Sequence, residues 1–284
     1  MQKKHQALSL GAIAQLTRFW NLVIIGIAQY FTAFFLVGTH TLSDPALLLL
    51  SFSTILIAAA GYIINDYYDV KIDLINKPER VVIGKTIARR YAILLHSVLS
   101  FAGVALGLLL SWQVAAINFF ASFLLWFYSN HLKRLPFVGN FVVALLTGLS
   151  VALINLLYHQ SATLIYIYAV FAFMITLVRE IIKDMEDLKG DNTYGCKTLP
   201  IVWGIPKTRQ FIYAILFLFI AGVLVIHVEF VDLPVAYFTL FLFVPLFVLM
   251  LRLARADTKK DFYHLSTLSK VIMLLGILSM SVVK

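Results

Sequence analysis

The sequence predicts an all-α, polytopic membrane protein with nine transmembrane helices, forming a single domain over residues 1–284. Three observations carry that expectation. The chain is 61% hydrophobic and only 13% charged, where soluble globular domains are about 25% charged. Its apolar residues fall into runs near the roughly 20 residues needed to cross a bilayer core. Its cations are confined to alternate segments between those runs. Too little polar surface remains to cover a soluble bundle, and no amphipathic helices remain to form a shell around the runs.

Each element follows in order. Segment 1–18 carries Lys3, Lys4 and Arg18, and the first run, 19–39, begins at Phe19 without a small-residue cleavage site. It therefore reads as a retained span rather than a removed signal peptide. The second run, 46–64, leads directly into Asn65 and a polar segment of mixed charge, 65–90. Runs 91–110 and 112–130 are joined by a turn of only Ser111-Trp112-Gln113. The basic segment 131–138 precedes run 139–158, and run 161–181 contains Arg179 at its end. Segment 182–209 then precedes runs 210–228 and 233–251, which hold Pro234 and Pro245. Segment 252–264 leads into the last run, 265–283, with Lys270 in its first turns.

Nine spans sort the charges. Segments 1–18, 65–90, 131–138, 182–209 and 252–264, with Arg179, lie on one side and hold 21 of the 23 Lys and Arg. The short loops of the other side hold none. This is the positive-inside pattern, and it places the amino terminus in the cytoplasm and the carboxyl terminus outside. The net charge of +9 is then topology and contact with anionic lipid headgroups. It is not a nucleic-acid footprint, because no soluble basic face exists to carry one. The only cysteine, Cys196, has no partner for an intrachain disulfide, and the seven histidines are scattered without metal-ligand spacing.

The acids are not scattered. Of 14 Asp and Glu, nine lie between 66 and 79 or between 180 and 191. Asp66, Asp69 and Asp73 repeat the spacing i, i+3, i+7 of Asp184, Asp187 and Asp191. On a helix that spacing puts three carboxylates on one face, within roughly 60° of arc. Both clusters fall on the cytoplasmic side, where the runs lead straight into Asn65 and Arg179. Solvated acidic loops would not need the repeated spacing, and charges at membrane depth are costly and usually functional. Three carboxylates on one face repel, so a hard divalent cation bearing a phosphate-type ligand is the economical companion. Lys71, Lys77 and Arg80 stand near the first cluster, and Arg179, Lys183, Lys189 and Lys197 near the second. Such mixed charge suits a magnesium-bound diphosphate: acids hold metal, metal holds phosphate oxygens, and Lys and Arg take the remaining charge. Two metal ions could neutralise a diphosphate leaving an allylic carbon. Aromatic rings could shield the resulting cation, and Tyr128 stands near a cytoplasmic helix end.

Residues NDYYDVKIDLINKPER (65–80) and DMEDLKGD (184–191) resemble the two aspartate-rich signatures of the UbiA superfamily of intramembrane prenyltransferases. Arg18-x-x-Asn21 resembles the family's basic residue and asparagine at the first span, with Phe19 where proline is usual. Tyr128-Ser129-x-x-Leu132-Lys133-Arg134 resembles its tyrosine and lysine after the fourth span, and Gly139-Asn140 follows as it commonly does. The resemblance covers the whole chain. It implies a bundle around a central cavity with a cytoplasmic cap, the two motifs facing each other. It also implies magnesium-dependent transfer of a prenyl group from prenyl diphosphate to a lipophilic acceptor.

Within the family, REIIKDMEDLKGDNTYGCKTLPIVWG (179–204) is most similar to the subgroup that adds a second geranylgeranyl chain to a glycerol phosphate ether lipid. Aromatic acceptors of quinone or chlorophyll pathways are the alternative, since those subgroups share parts of both motifs. One departure is Arg80-Val81-Val82-Ile83-Gly84-Lys85, where the family commonly has Arg-Pro-Ile-Pro-Ser-Gly. The expected site follows. Asn65 and the six aspartates would hold two magnesium ions, directly or through water. Arg18, Asn21, Asn65, Lys77, Arg80, Tyr128, Lys133, Arg179, Lys183 and Lys197 would contact substrate. A transporter is the remaining class, disfavoured because the acids gather at one membrane face and Pro is nearly absent from span interiors.

Overall fold

A computed structural model of the chain describes residues 10–159, 163–229 and 239–283. Every regular element among them is helical; the only β feature described is an isolated bridge between Ile83 and Ile87. The helices are α1 (Leu10–Leu16), α2 (Phe19–Phe31, prolonged by a π-helical turn to Val37), α3 (Pro45–Asn76), α4 (Arg89–Leu110), α5 (Trp112–Asn130), α6 (Val138–Tyr158) and α7 (Thr163–Glu186). They continue with α8 (Leu188–Thr193), α9 (Leu199–Glu229), α10 (Val244–Arg255) and α11 (Lys259–Ser279).

Seven of these elements are long and apolar enough to cross a membrane: Phe19–Val37, Pro45–Asn76, Arg89–Leu110, Val138–Tyr158, Thr163–Glu186, Leu199–Val225 and Lys259–Ser279. Each contains or overlaps one of the nine predicted runs. Run 112–130 is also a helix, α5, but Gln113, Asn118 and Asn130 dilute its apolar content. Run 233–251 falls partly outside the described residues, and its described part is the π-helical turn Thr239–Phe243 followed by α10.

The described chain divides into two compact units, 10–26 with 48–132, and 27–47 with 133–283. In the first, α3, α4 and α5 meet at Asn118, which is 2% exposed. Its amide donates to Gly103 O at 3.0 Å and to Ser53 Oγ at 3.3 Å. That satisfies a polar side chain where water is absent. Small residues permit the approach: a Cβ on Gly103 would sit 3.0 Å from Ser53 O and 2.7 Å from Ile57. A second cluster joins α1 to the segment after α3, with Ala12, Leu16, Ile63, Val82, Ile83, Ile87 and Ala92 buried together. The 82–87 turn closes on itself: Thr86 N–H donates to Val82 O at 2.9 Å and Gly84 N–H to Ile87 O at 2.8 Å. Gly84 sits at φ 86, a region that favours glycine. The segment is held by buried Val82, Ile83 and Ile87 and by Lys85 Nζ donating to Pro78 O at 2.7 Å.

In the second unit α7 is the central helix, packed against α6, α9 and α11. Ile175, Val178, Ile181, Ile182 and Met185 of α7 share one core with Ile212 and Leu216 of α9, Leu246 and Leu249 of α10, and Leu265 and Ile272 of α11. Gly148 lets α6 approach so closely that a Cβ there would meet Ala169 O at 2.8 Å. Helix α9 bends at Gly204 (φ 76, ψ 162), two residues before Pro206. Arg209, past the bend, caps the end of α10 by donating to Ala254 O at 3.0 Å and Ala256 O at 2.7 Å.

Candidate active site

The first acidic stripe belongs to α3. That helix is unbroken for 32 residues, so Asp66, Asp69 and Asp73 keep the predicted helical spacing on its final turns. All three are partly buried, as is Asn65. Arg18 reaches the stripe from the α1–α2 junction, with Nη2 2.9 Å from Asp66 Oδ1 and the guanidinium 4.9 Å from the Tyr62 ring centroid. Its backbone is left-handed, φ 52, which costs a non-glycine residue about 1 kcal/mol or more. The ion pair and ring contact are what hold it there. Burial, the largest single influence, would lower the Arg18 pKa, but Asp66 by charge and hydrogen bond, with Tyr62 and Asp73, together outweigh it and raise it. Asn21 follows one turn later, its N–H donating to Arg18 O at 2.8 Å. Lys77 terminates α3, its N–H donating to Asp73 O at 2.7 Å. Arg80 is exposed and stands 3.9 Å from Glu79. Tyr128, on the last turns of α5, is partly buried.

The second stripe departs from the single straight helix that its spacing predicts. Helix α7 ends at Glu186, Asp187 takes up a bend (φ −95, ψ 7), and Asp191 lies on α8. The bend keeps the helical ladder: Asp187 N–H donates to Lys183 O at 2.8 Å and Asp191 N–H to Asp187 O at 3.2 Å. Asp184 accepts from Asn140 Nδ2 at 2.9 Å. Asn140 stands on the first turn of α6, just after Phe137 at φ 67, and this bond orients the carboxylate from a neighbouring helix. Arg179 and Lys183 are joined through Glu180, whose Oε1 lies 2.5 Å from Arg179 Nη1 and Oε2 2.9 Å from Lys183 Nζ. Lys197 is exposed, and its N–H donates to Arg134 O at 2.8 Å, tying the segment after α8 to the turn that carries Lys133.

The structure thus brings together Arg18 with Asp66, Asn140 with Asp184, and Arg179 with Lys183 through Glu180. Among the described residues, no three Asp, Glu, His or Cys side chains gather as a ready-made metal site. The donors are carboxylate and amide oxygens, the set magnesium prefers, and magnesium keeps waters and substrate phosphates in preference to a closed protein cage. Glu180 and Asn140 were not among the site residues read from sequence. Glu180 extends the second stripe one turn backward, to 180, 184, 187 and 191, and that spacing was a legible signal. Asn140 was visible only as part of a Gly-Asn pair.

The model of the UbiA prenyltransferase family matches residues 26–271. The digeranylgeranylglyceryl phosphate synthase of Methanobrevibacter smithii is 36% identical over 176 residues, 60% of this chain and 62% of that one. That of Methanoculleus marisnigri is 36% identical over 73% of this chain and 74% of its own. That of Saccharolobus solfataricus is 38% identical over 71% and 72%. Among solved structures, one of a digeranylgeranylglyceryl phosphate synthase shares the fold with a TM-score of 0.73 at 24% identity, covering 96% of this chain and 98% of that one. A UbiA homologue from Archaeoglobus fulgidus, bound to DMAPP and Mg2+, does so with a TM-score of 0.63 at 17% identity, covering 95% and 99%.

Proposed function

The chain belongs to the UbiA prenyltransferase family, and from that premise we propose that it transfers a geranylgeranyl group from its diphosphate to geranylgeranylglyceryl phosphate. Family membership makes it a multi-pass membrane prenyltransferase and removes the transporter reading. The observation that carries the choice of substrate is the run of relatives, 35–38% identical over about 70% of the chain, that are digeranylgeranylglyceryl phosphate synthases. The Archaeoglobus homologue that binds DMAPP with Mg2+ supports a prenyl diphosphate donor and magnesium here.

In this reading Asn65, Asp66, Asp69, Asp73, Asp184, Asp187 and Asp191 hold two magnesium ions, directly or through water. Bound there, the metal neutralises the diphosphate as the allylic C–O bond breaks. Arg18 and Asn140 orient Asp66 and Asp184 by the bonds already described. Arg18, Asn21, Asn65, Lys77, Arg80, Tyr128, Lys133, Arg179, Lys183 and Lys197 contact the substrates. The acceptor hydroxyl attacks the allylic carbon and yields its proton to released diphosphate or to a carboxylate such as that of Asp69. Both stripes are required for the same transfer. Residues 1–284 act as one domain of nine crossings with a cytoplasmic cap, the amino terminus and both stripes in the cytoplasm and the carboxyl terminus outside. A cysteine added after Lys284, in a Cys196→Ser background, then reacts with an impermeant maleimide on intact cells; labelling only after lysis would mean an even number of crossings.

Substrate is tested by incubating membranes that contain the protein with labelled geranylgeranyl diphosphate, magnesium and either geranylgeranylglyceryl phosphate or 4-hydroxybenzoate. Label is expected in the doubly alkylated ether lipid. Label in the benzoate alone would replace the lipid acceptor by an aromatic one.

A further inference from the structure

Glu180 lies in a membrane-spanning helix and is 7% exposed. A carboxylate in that position is costly and calls for a partner and a purpose. Two cations of its own helix reach it, Lys183 Nζ at 2.9 Å and Arg179 Nη1 at 2.5 Å. The Lys183 contact is an ordinary i, i+3 pair. The Arg179 contact is not, because adjacent helical residues diverge by about 100°. The guanidinium must fold across its helix to reach Glu180. While it does so, its Nε is buried with no hydrogen-bond acceptor among the described residues. Orphaned buried donors are rare in native structures, and each needs an explanation.

An ion cluster that merely fastens α7 explains part of this and leaves two facts over. The Arg179 Nε keeps its proton with no acceptor among the described residues. The cations are also withdrawn from solvent, at 15% and 22% side-chain exposure, and do not extend to headgroups as snorkelling side chains do. A fork of guanidinium and ammonium with one donor left over is suited to a phosphate oxygen, which accepts charge-assisted hydrogen bonds from both together.

We propose that Glu180 is a positioning residue that clamps Arg179 and Lys183 into a phosphate-binding fork, with the Arg179 Nε kept for a phosphate oxygen of substrate. The proposal rests on the prenyl-transfer reading, in which the donor carries a diphosphate and the acceptor a phosphate monoester. Glu180 itself makes and breaks no bond; it fixes where the two donors stand. Either substrate supplies the shared chemistry, and kinetics tell them apart.

The test compares full-length wild type with Glu180→Gln, Glu180→Asp and Arg179→Lys in detergent. Arg179→Lys keeps the charge and removes the Nε donor, so it remains informative if Glu180→Gln folds poorly. Steady-state constants are measured for geranylgeranyl diphosphate and for the acceptor that wild type uses. A second readout without turnover is the rise in unfolding midpoint produced by magnesium pyrophosphate and, separately, by glycerol 1-phosphate. Glu180→Gln and Arg179→Lys should raise the KM of one phosphate-bearing substrate about tenfold, with kcat changed far less. They should also blunt the midpoint rise given by the matching probe, and Glu180→Asp should restore much of both. A raised donor KM assigns the fork to diphosphate; a raised acceptor KM assigns it to the monoester. Both KM values and both midpoint rises unchanged, or a fall in kcat alone, would overturn the clamp. Absence of transfer by wild type with any acceptor would instead overturn the prenyl-transfer reading.

Discussion

Asn140 is the side chain on which the orientation of Asp184 depends. Its amide donates to Asp184 Oδ2 at 2.9 Å from the first turn of α6. In the proposed function Asp184 holds metal, and groups that orient such a carboxylate typically contribute 10–100-fold to affinity or activity, whereas a lost hydrogen bond costs about 1 kcal/mol of stability. Asn140→Ala should therefore lower kcat/KM by about 10–100-fold while shifting the unfolding midpoint only slightly, both measured on the same detergent preparation. A large midpoint loss with activity preserved would make Asn140 structural. At this scale the sequence was readable where spacing repeats. Asp66, Asp69 and Asp73 could be placed on one helix face from their numbers alone. Asn140 could not be tied to Asp184, because that pairing spans 44 residues of chain and depends on how α6 packs on α7. Glu180 was readable as a charge but not as a bridge, since an i, i+1 contact with Arg179 is one that helix geometry does not favour.

Among elements, the junction of α3, α4 and α5 shows how polar and small residues cooperate in an apolar solvent. Asn118 bonds across all three helices, and Gly103 admits the approach by leaving no Cβ against Ser53 O. Gly103→Leu should destabilise the first unit by about 1–3 kcal/mol, the cost of overpacking a close contact, seen as a lower unfolding midpoint with the site's chemistry untouched at low temperature. An unchanged midpoint would mean that α4 can move away without penalty. Long α3 was legible because apolar residues and the aspartate stripe run on without Gly or Pro from 62 to 77. The bend at Asp187 was not legible, because neither Asp187 nor its immediate neighbours Glu186 and Leu188 breaks a helix. The bend at Gly204 had a signal, Gly followed by Pro206, but a hydrophobicity window reads side chains and not φ. The 82–87 turn had none beyond Gly84; its buried Val82, Ile83 and Ile87 look like a short strand until α1 is placed against them.

For the whole molecule, composition alone identified the solvent, because 61% hydrophobic residues over 284 cannot be covered with water-soluble surface. The number of crossings was less legible than their existence. Among the described residues, seven helices qualify by length and apolar content. Trp112–Asn130 is diluted by the polar groups that make the Asn118 junction, so a residue serving packing weakens the signal for insertion. In the proposed function two acidic stripes, 118 residues apart in the chain at Asp66 and Asp184, serve one metal-dependent transfer. The most direct measurement is magnesium-dependent release of pyrophosphate from geranylgeranyl diphosphate in the presence of acceptor, for wild type, Asp66→Asn and Asp187→Asn in the same membranes at equal protein. Release should vanish in EDTA and fall by about 100-fold or more in each variant. Release by either variant at the wild-type rate would contradict the proposed function.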